Sequence, residues 1–200
     1  VDDDGVRRLA ALTRRERRAG DIDLWSLHWG GNWVADVPAA QRRFARALVD
    51  TAGAALVHGH SSHQPMPLEV HCGPLVLHGC GDLNNDYEGI EPGPAGRSAR
   101  LRADLGCLYF ATLDARGGGL LALDVIPLQR RRLRLQVASA EARAAAARQL
   151  GGAWREDGGA LRMLNGPRRA AAEHDPVNAA KGLAGPPADH GSQCTTGETT

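Results

Sequence analysis

The sequence predicts an α/β protein whose first part builds a parallel sheet, and three observations carry that prediction. Helical and strand-like segments alternate twice before residue 60, with short connections between them. Glycines stand where each helical segment has to stop, at Gly20 and Gly53. Both strand-like segments run into loops that carry histidine, and in parallel sheets ligands gather outside the carboxyl ends of the strands.

The elements follow in order. Residues 2–19 read as a helix, with Asp2, Asp3 and Asp4 suited to its N-terminal dipole and Val6, Leu9, Ala10 and Leu12 on its apolar face. Residues 22–27 form an apolar-rich strand, followed by the loop His28-Trp29-Gly30-Gly31-Asn32-Trp33. Pro38 opens a second helix whose inner face is Phe44, Leu48, Val49 and Ala52. The next strand is residues 54–57, and Gly59-His60-Ser61-Ser62-His63 is the loop after it. Beyond residue 66 the pattern changes to short strands at 68–70, 75–77, 107–113, 120–126 and 133–137, several separated by turn residues, so this half is antiparallel at least in part. Residues 84–104 read as a long polar loop, Ser139 as the cap of a helix to Leu150, and 160–164 as a last strand. The arginine run 130–132 reads as a solvated turn. Residues 166–200 carry only Val177 and Leu183 as large apolar side chains and are expected to be a disordered tail, leaving 1–165 as the folded part.

Composition narrows the function classes. The chain has 200 residues, 42% hydrophobic and 24% charged, the balance of a globular domain. A net charge of +1 gives no electrostatic case for nucleic acid or anionic lipid as a partner. Of the 24 basic residues only Lys181 is a lysine, which reads as a compositional bias rather than a binding surface. No apolar run is long enough to span a membrane. Four cysteines without a C-x-x-C pair exclude a zinc ribbon and a disulfide scaffold. The chain starts at Val1, inside the first turn of a helix, and is read as a C-terminal portion of something longer.

Six of the eight histidines fall between residues 28 and 78. His28 ends one strand, and His60 and His63 sit in the loop after the next. Neutral imidazole is the commonest side-chain metal ligand, so three histidines at neighbouring strand ends predict a metal site. Gly59 and Gly30-Gly31 are expected to turn the backbone beside them, and the small Ser61 and Ser62 to keep the pocket open. Asp82 follows a strand through Gly79-Cys80-Gly81 and is a ligand, an orienting partner for a histidine, or a turn residue. Asp86 and Glu88 of the long loop are expected to be solvated or substrate-facing rather than metal-bound, and Asn32 is a further substrate-binding candidate. His58 and His78 either support the site or simply pack, and the same choice holds for Trp29 and Trp33, while Trp25 belongs to the core. Cys72 and Cys80 flank a strand with no base beside them for thiol catalysis.

Three blocks in this order carry a resemblance: residues 26–33 (SLHWGGNW), residues 57–65 (VHGHSSHQP), and Gly79-Cys80-Gly81-Asp82 with 85–90 (NDYEGI). The likeness continues through 102–106 (RADLG) and 108–113 (LYFATL). The chain resembles the bacterial capsule-synthesis (CapA, poly-γ-glutamate synthesis) family over residues 1–165. The resemblance implies a calcineurin-like metallophosphatase fold, a sheet sandwich flanked by helices, of which this is the C-terminal half. It implies a divalent metal (Mn, Zn, Fe or Mg) held by His28, His60 and His63, with Asp82 matching the late Gly-Asp element and acting in catalysis. The Asp and Asn/His motifs of the family's N-terminal half are absent, so this chain alone is expected to lack half of the metal shell. Gln64, His78 and Leu83-Asn84 depart from the family pattern. Three functions follow as expectations. One is a metal-dependent hydrolase of a phosphoester or of an amide in the capsule polymer. Another is a non-catalytic assembly component that binds polymer or other capsule-synthesis subunits. The third is a generic metallophosphoesterase.

Overall fold

A computed structural model of the chain describes residues 2–34, 36–83, 85 and 102–165. The element order is α1 (Asp3–Glu16), β1 (Leu24–His28), α2 (Ala39–Ala52), β2 (Leu56–His60), β3 (Leu68–Val70), β4 (Leu75–Leu77), β5 (Leu105–Leu113), β6 (Leu120–Arg131), β7 (Arg134–Val137), α3 (Ala140–Leu150), β8 (Arg155–Asp157) and β9 (Ala160–Leu164). The expected tail, 166–200, and most of the expected loop at 84–104, with Asp86 and Glu88, lie outside the described residues.

Local chemistry sets the helix ends. Asp2 caps α1, its Oδ1 accepting from Gly5 N at 2.8 Å, and the acidic first turn and basic last turn both oppose the helix dipole. Gly53 ends α2 in the left-handed conformation at φ 72°, where a side chain would be strained. Ser139 caps α3 through a bond from Ala142 N.

Two sheets result. The first has the order β1-β2-β4-β3, with β1, β2 and β4 parallel and β3 antiparallel at one edge. Strand periodicity gives this sheet two apolar faces. Val57 and Val76, with Trp25 and Leu27, pack under α1 and α2 against Ala10, Ala45, Leu48 and Val49. Leu56, Leu75 and Leu77 face the other way, into a core shared with Leu105, Cys107, Leu123, Val125 and Leu161 of the second sheet and Ala142, Ala146 and Leu150 of α3. The second sheet is antiparallel, β5-β6-β9-β8, with β7 and β9 sharing the edge of β6 opposite β5. The protein is therefore a mixed α/β structure of two sheets with a pair of helices on the first.

Several expectations need correction. β2 runs to His60, so His58 and Gly59 are strand residues; Gly59 does not turn the chain. It is glycine because an added Cβ would lie 2.3 Å from Trp29 Nε1 and 2.4 Å from the His78 carbonyl oxygen. The turning is done by Ser61 and His63, at φ 104° and 60°. The arginine run is a solvated turn only at its end. Arg130 and Arg131 belong to β6, Arg130 is buried at 5% exposure, and the reversal falls on Arg132 and Leu133 with φ 55° and 56°. β8 has no apolar residue to announce it, since all three of its residues are charged and exposed.

Candidate functional site

The parallel register of β1 and β2 builds the site. Ser26 stands beside His58 and His28 beside His60, all on the sheet face opposite α1 and α2. On β1 this face is open: Leu24 is 60% exposed, and Ser26 and His28 are exposed as well. Ser26 Oγ lies 3.0 Å from His58 Nδ1. His28 Nδ1 lies 3.1 Å from His60 Nδ1, with the rings edge to face at 5.0 Å. Two ring nitrogens that close share one proton or one cation, since two lone pairs facing each other repel. Burial and then the neighbouring His60 hold the His58 pKa below its ordinary 6.5, which keeps that ring neutral near pH 7.

The loops beyond these strands are tied together. Trp29 N donates to His60 O at 3.2 Å and Trp33 N to Ser62 O at 3.1 Å. Trp33 takes φ 55°, so the paired loops hold three non-glycine residues, Trp33, Ser61 and His63, in the left-handed region. Each such residue costs about 1–3 kcal/mol, and such strain gathers at functional sites. The Trp33 ring stacks on His63 at 5.4 Å. His63 Nδ1 meets Asp82 Oδ2 at 2.9 Å, and Asn85 Nδ2 donates to the same oxygen. Of the three readings of Asp82, this is the contact that an orienting partner makes.

The histidines expected to share one metal therefore stand in two places. His28 and His60 face each other, while His63 is turned to Asp82. Among the described residues their ligand atoms form no group within 4.8 Å of one another. Asn32 is exposed in the turn between His28 and Trp33.

Other expected residues support the site. Trp29 donates from Nε1 to the His78 carbonyl at 2.9 Å and stacks on the His78 ring at 5.9 Å. Ser62 is buried, giving its hydroxyl to Gln64 O at 2.7 Å, so it packs the loop and does not keep a pocket open. Gln64, at 1% exposure, donates to Val34 O and accepts from Gln149 of α3. Sequence reasoning missed two groups. Glu69 gathers Arg42 at 2.9 Å, Arg46 at 3.0 Å and the buried His78 at 3.4 Å. Burial works to raise its pKa, but the bonds from His78, Arg46 and Arg42 prevail and hold it well below 4.5. Arg130 donates from Nη1 to Asp82 O at 2.7 Å and from Nη2 to Ala103 O. The signal for Arg130 was its place in a strand of alternating apolar residues. Cys80 and Cys107 carry no thiolate chemistry, since burial pushes their thiols up to about 12.

Comparison with known proteins shows what the chain is similar to. Residues 1–87 match the model of the bacterial capsule synthesis protein PGA_cap. A protein of Mycobacterium tuberculosis strain H37Rv, named a probable polyglutamine synthesis accessory protein, is 43% identical over 131 residues, 66% of this chain and 33% of its own length. Its counterpart in strain CDC 1551 matches equally. The PGA biosynthesis protein CapA of Bacillus subtilis is 35% identical over 67 residues, 34% of this chain and 17% of its own. The chain thus spans about a third or less of the length of these relatives. The matched stretch 1–87 holds the facing pair His28–His60 together with His63 and Asp82, so the likeness to the bacterial capsule synthesis family falls on the candidate site itself.

Proposed function

We propose that this chain carries the histidine half of a divalent-metal site in a capsule-polymer synthesis protein, with the two-sheet architecture of a calcineurin-like metallophosphatase. The observation that carries this reading is the facing pair His28–His60, 3.1 Å apart at the carboxyl ends of two parallel strands. A divalent cation (Mn, Zn, Fe or Mg) fits that donor set. Two imidazole nitrogens already aim at each other, and a third ring, His63, is fixed at Nδ1 by Asp82, so that it coordinates through Nε2. A bound cation supplies a Lewis acid and a water of lowered pKa for attack on a phosphoester or amide. The residues then divide the work. His28 and His60 hold the ion, Asp82 orients His63, which stands apart from that pair here and would add Nε2 only after a shift of its loop, and the exposed Asn32 faces the substrate, with Asp86 and Glu88 assigned the same role from sequence.

A second reading has its own support. Asp82 is engaged by His63 and Asn85, and no carboxylate of the described residues is bonded to the facing pair His28–His60. A two-metal clamp needs a bridging carboxylate, so this chain alone is expected to bind metal and turn over poorly, as a polymer-binding assembly component would. The test is metal analysis with Mn and Zn on the chain and its His60→Ala variant, alongside turnover of an aryl phosphate and of poly-γ-glutamate. Stoichiometric metal, about one ion per chain, lost in the variant supports the site. Equal metal in both proteins removes it, and turnover of the aryl phosphate alone moves the reading to a generic phosphoesterase.

A further inference from the structure

At the end of the first sheet opposite the histidines, the surface forms an open cavity of about 480 Å³. It lies between the C-terminal end of α1, the segments entering β1 and β2, and the β5–β6 turn. β1 separates it from His28 by roughly 15 Å, five residues at the strand rise. Four arginines line it, Arg14, Arg17, Arg18 and Arg116, against one carboxylate, Asp21.

Three of the four guanidiniums have no carboxylate partner among the described residues. Arg17 is the exception, pairing with Asp23 at 3.3 Å and lying over Gly53, where an added Cβ would come within 3.2 Å of it. The Asp21 carboxylate is already used, accepting from Arg18 N at 2.7 Å. Elsewhere some arginines find acids, as Arg42 and Arg46 meet Glu69, Arg102 meets Asp104 and Arg143 meets Glu156, while others such as Arg8, Arg43 and Arg155 are exposed without one among the described residues; the cavity differs in bringing three unpaired guanidiniums to one wall. Complementing the dipole of α1 explains Arg14 in its last turn. It does not explain Arg116, which comes from another sheet, or Arg18, which lies past the helix end.

We infer that this cavity binds a ligand carrying several carboxylates, an acidic chain whose charges the arginines take one by one. The class follows from what the wall offers. It presents the carbonyl end of α1, not the N–H end, and the amides of Gly53 and Gly118 are spent on Val49 O and Asp114 O. A phosphate site is built from free backbone N–H groups at a helix start. The guanidinium forks on the wall match carboxylates and phosphates alike, and the capsule-polymer reading selects the carboxylate. The arginine excess that reads as composition in the sequence thus becomes a placed feature. The choice of an acidic polymer as ligand rests on the capsule-polymer reading, whereas the cavity and its charge do not.

The test uses the chain as it is, with fluorescence anisotropy of a labelled oligo-γ-glutamate at low and physiological salt. The expected result is salt-sensitive binding that weakens at least about tenfold in an Arg14→Gln/Arg18→Gln/Arg116→Gln variant. A charge-matched control, Arg8→Gln/Arg43→Gln/Arg155→Gln, is expected to bind like the parent. All six side chains are exposed, so both variants keep the fold. Equal weakening in both variants overturns the inference in favour of diffuse charge. No binding by the parent, or binding of tripolyphosphate in preference to the oligo-carboxylate, overturns it too. Binding that survives His60→Ala separates this site from the metal site, so either can fail alone.

Discussion

Replacing Glu69 by glutamine tests the electrostatic frame behind the site. The carboxylate is 12% exposed and serves two arginines and one buried histidine, while Arg42 and Arg46 remain 36% and 46% exposed. Removing one member of a fully buried pair costs about 3–5 kcal/mol, and an exposed pair contributes about 0–1 kcal/mol. Half-exposed arginines place this cluster between those limits, and glutamine keeps the shape and one acceptor, so the expected loss is about 2 kcal/mol at pH 7. The pH dependence carries the sharper signature. Glu69 has its pKa depressed in the fold, so its contribution is complete above the unfolded value near 4.5 and is lost as pH falls toward the folded value. The gap between parent and Glu69→Gln must therefore narrow below pH 4.5. Asp104, also depressed by its bonds from Arg102 and Gln129, titrates in both proteins and cancels in the difference. Urea unfolding followed by tryptophan fluorescence, from pH 7 down to about pH 3, reads this directly. A gap below about 0.5 kcal/mol at pH 7, or one that stays constant to pH 3, refutes the reasoning.

Other outcomes follow from the same geometry. Gly59→Ala forces a Cβ into Trp29 Nε1 and the His78 carbonyl, and should lower stability by about 2–4 kcal/mol in urea melts through overpacking and a lost bond. Arg130→Met strips the Asp82 and Ala103 carbonyls of a buried donor and should cost about 2–4 kcal/mol, with weaker metal retention measured on the same samples. Cys80 and Cys107, with thiols pushed up to about 12, should resist iodoacetamide in the folded chain and react once urea is added, as counted by mass spectrometry. Trp33→Ala removes the ring stacked on His63 and should weaken metal binding more than it lowers thermal stability.

The elements that sequence reasoning placed best are those whose signal is local. Gly53 and Ser139 mark helix ends by their own conformational and hydrogen-bonding preferences, and β3, β4 and β9 are short apolar runs between turn residues. The end of β2 was hidden because a Gly-His pair reads as a loop. What makes Gly59 a strand residue is the approach of Trp29 and His78, distant in sequence and invisible to a window of neighbours. β8 was hidden because an exposed, charged edge strand carries no apolar alternation. At the site, the meeting of His28 with His60 was legible because parallel strands of equal length bring their ends together. The turn of His63 toward Asp82 was one of three readings left open, and it depends on positive φ at residues other than glycine, which composition does not announce. The Glu69 cluster joins α2, β3 and the residue after β4, so no stretch of sequence contains it.

The contacts around Asp82 explain why the second sheet belongs to the site although it contributes no histidine. Asp82 lies in the segment after β4, with the left-handed Gly81 at φ 77° before it. Such a segment has no ladder of its own to hold it. Two residues of the second sheet do the holding. Arg130 on β6 caps the Asp82 carbonyl, and Gly106 on β5 leaves room for that same oxygen, which would stand 2.3 Å from any Cβ there. Arg130 is fixed in turn, its backbone N donating to Asp104 O at 2.8 Å. The position of the Asp82 carboxylate, and with it the ring of His63, is thus set by the packing of one sheet on the other. A change that shifts β5 or β6 by a fraction of an ångström reaches His63 through two hydrogen bonds. The His28–His60 pair, held by β1 and β2 alone, stays where it is. The two histidine pairs therefore answer to different parts of the core, and perturbing the second sheet should uncouple them.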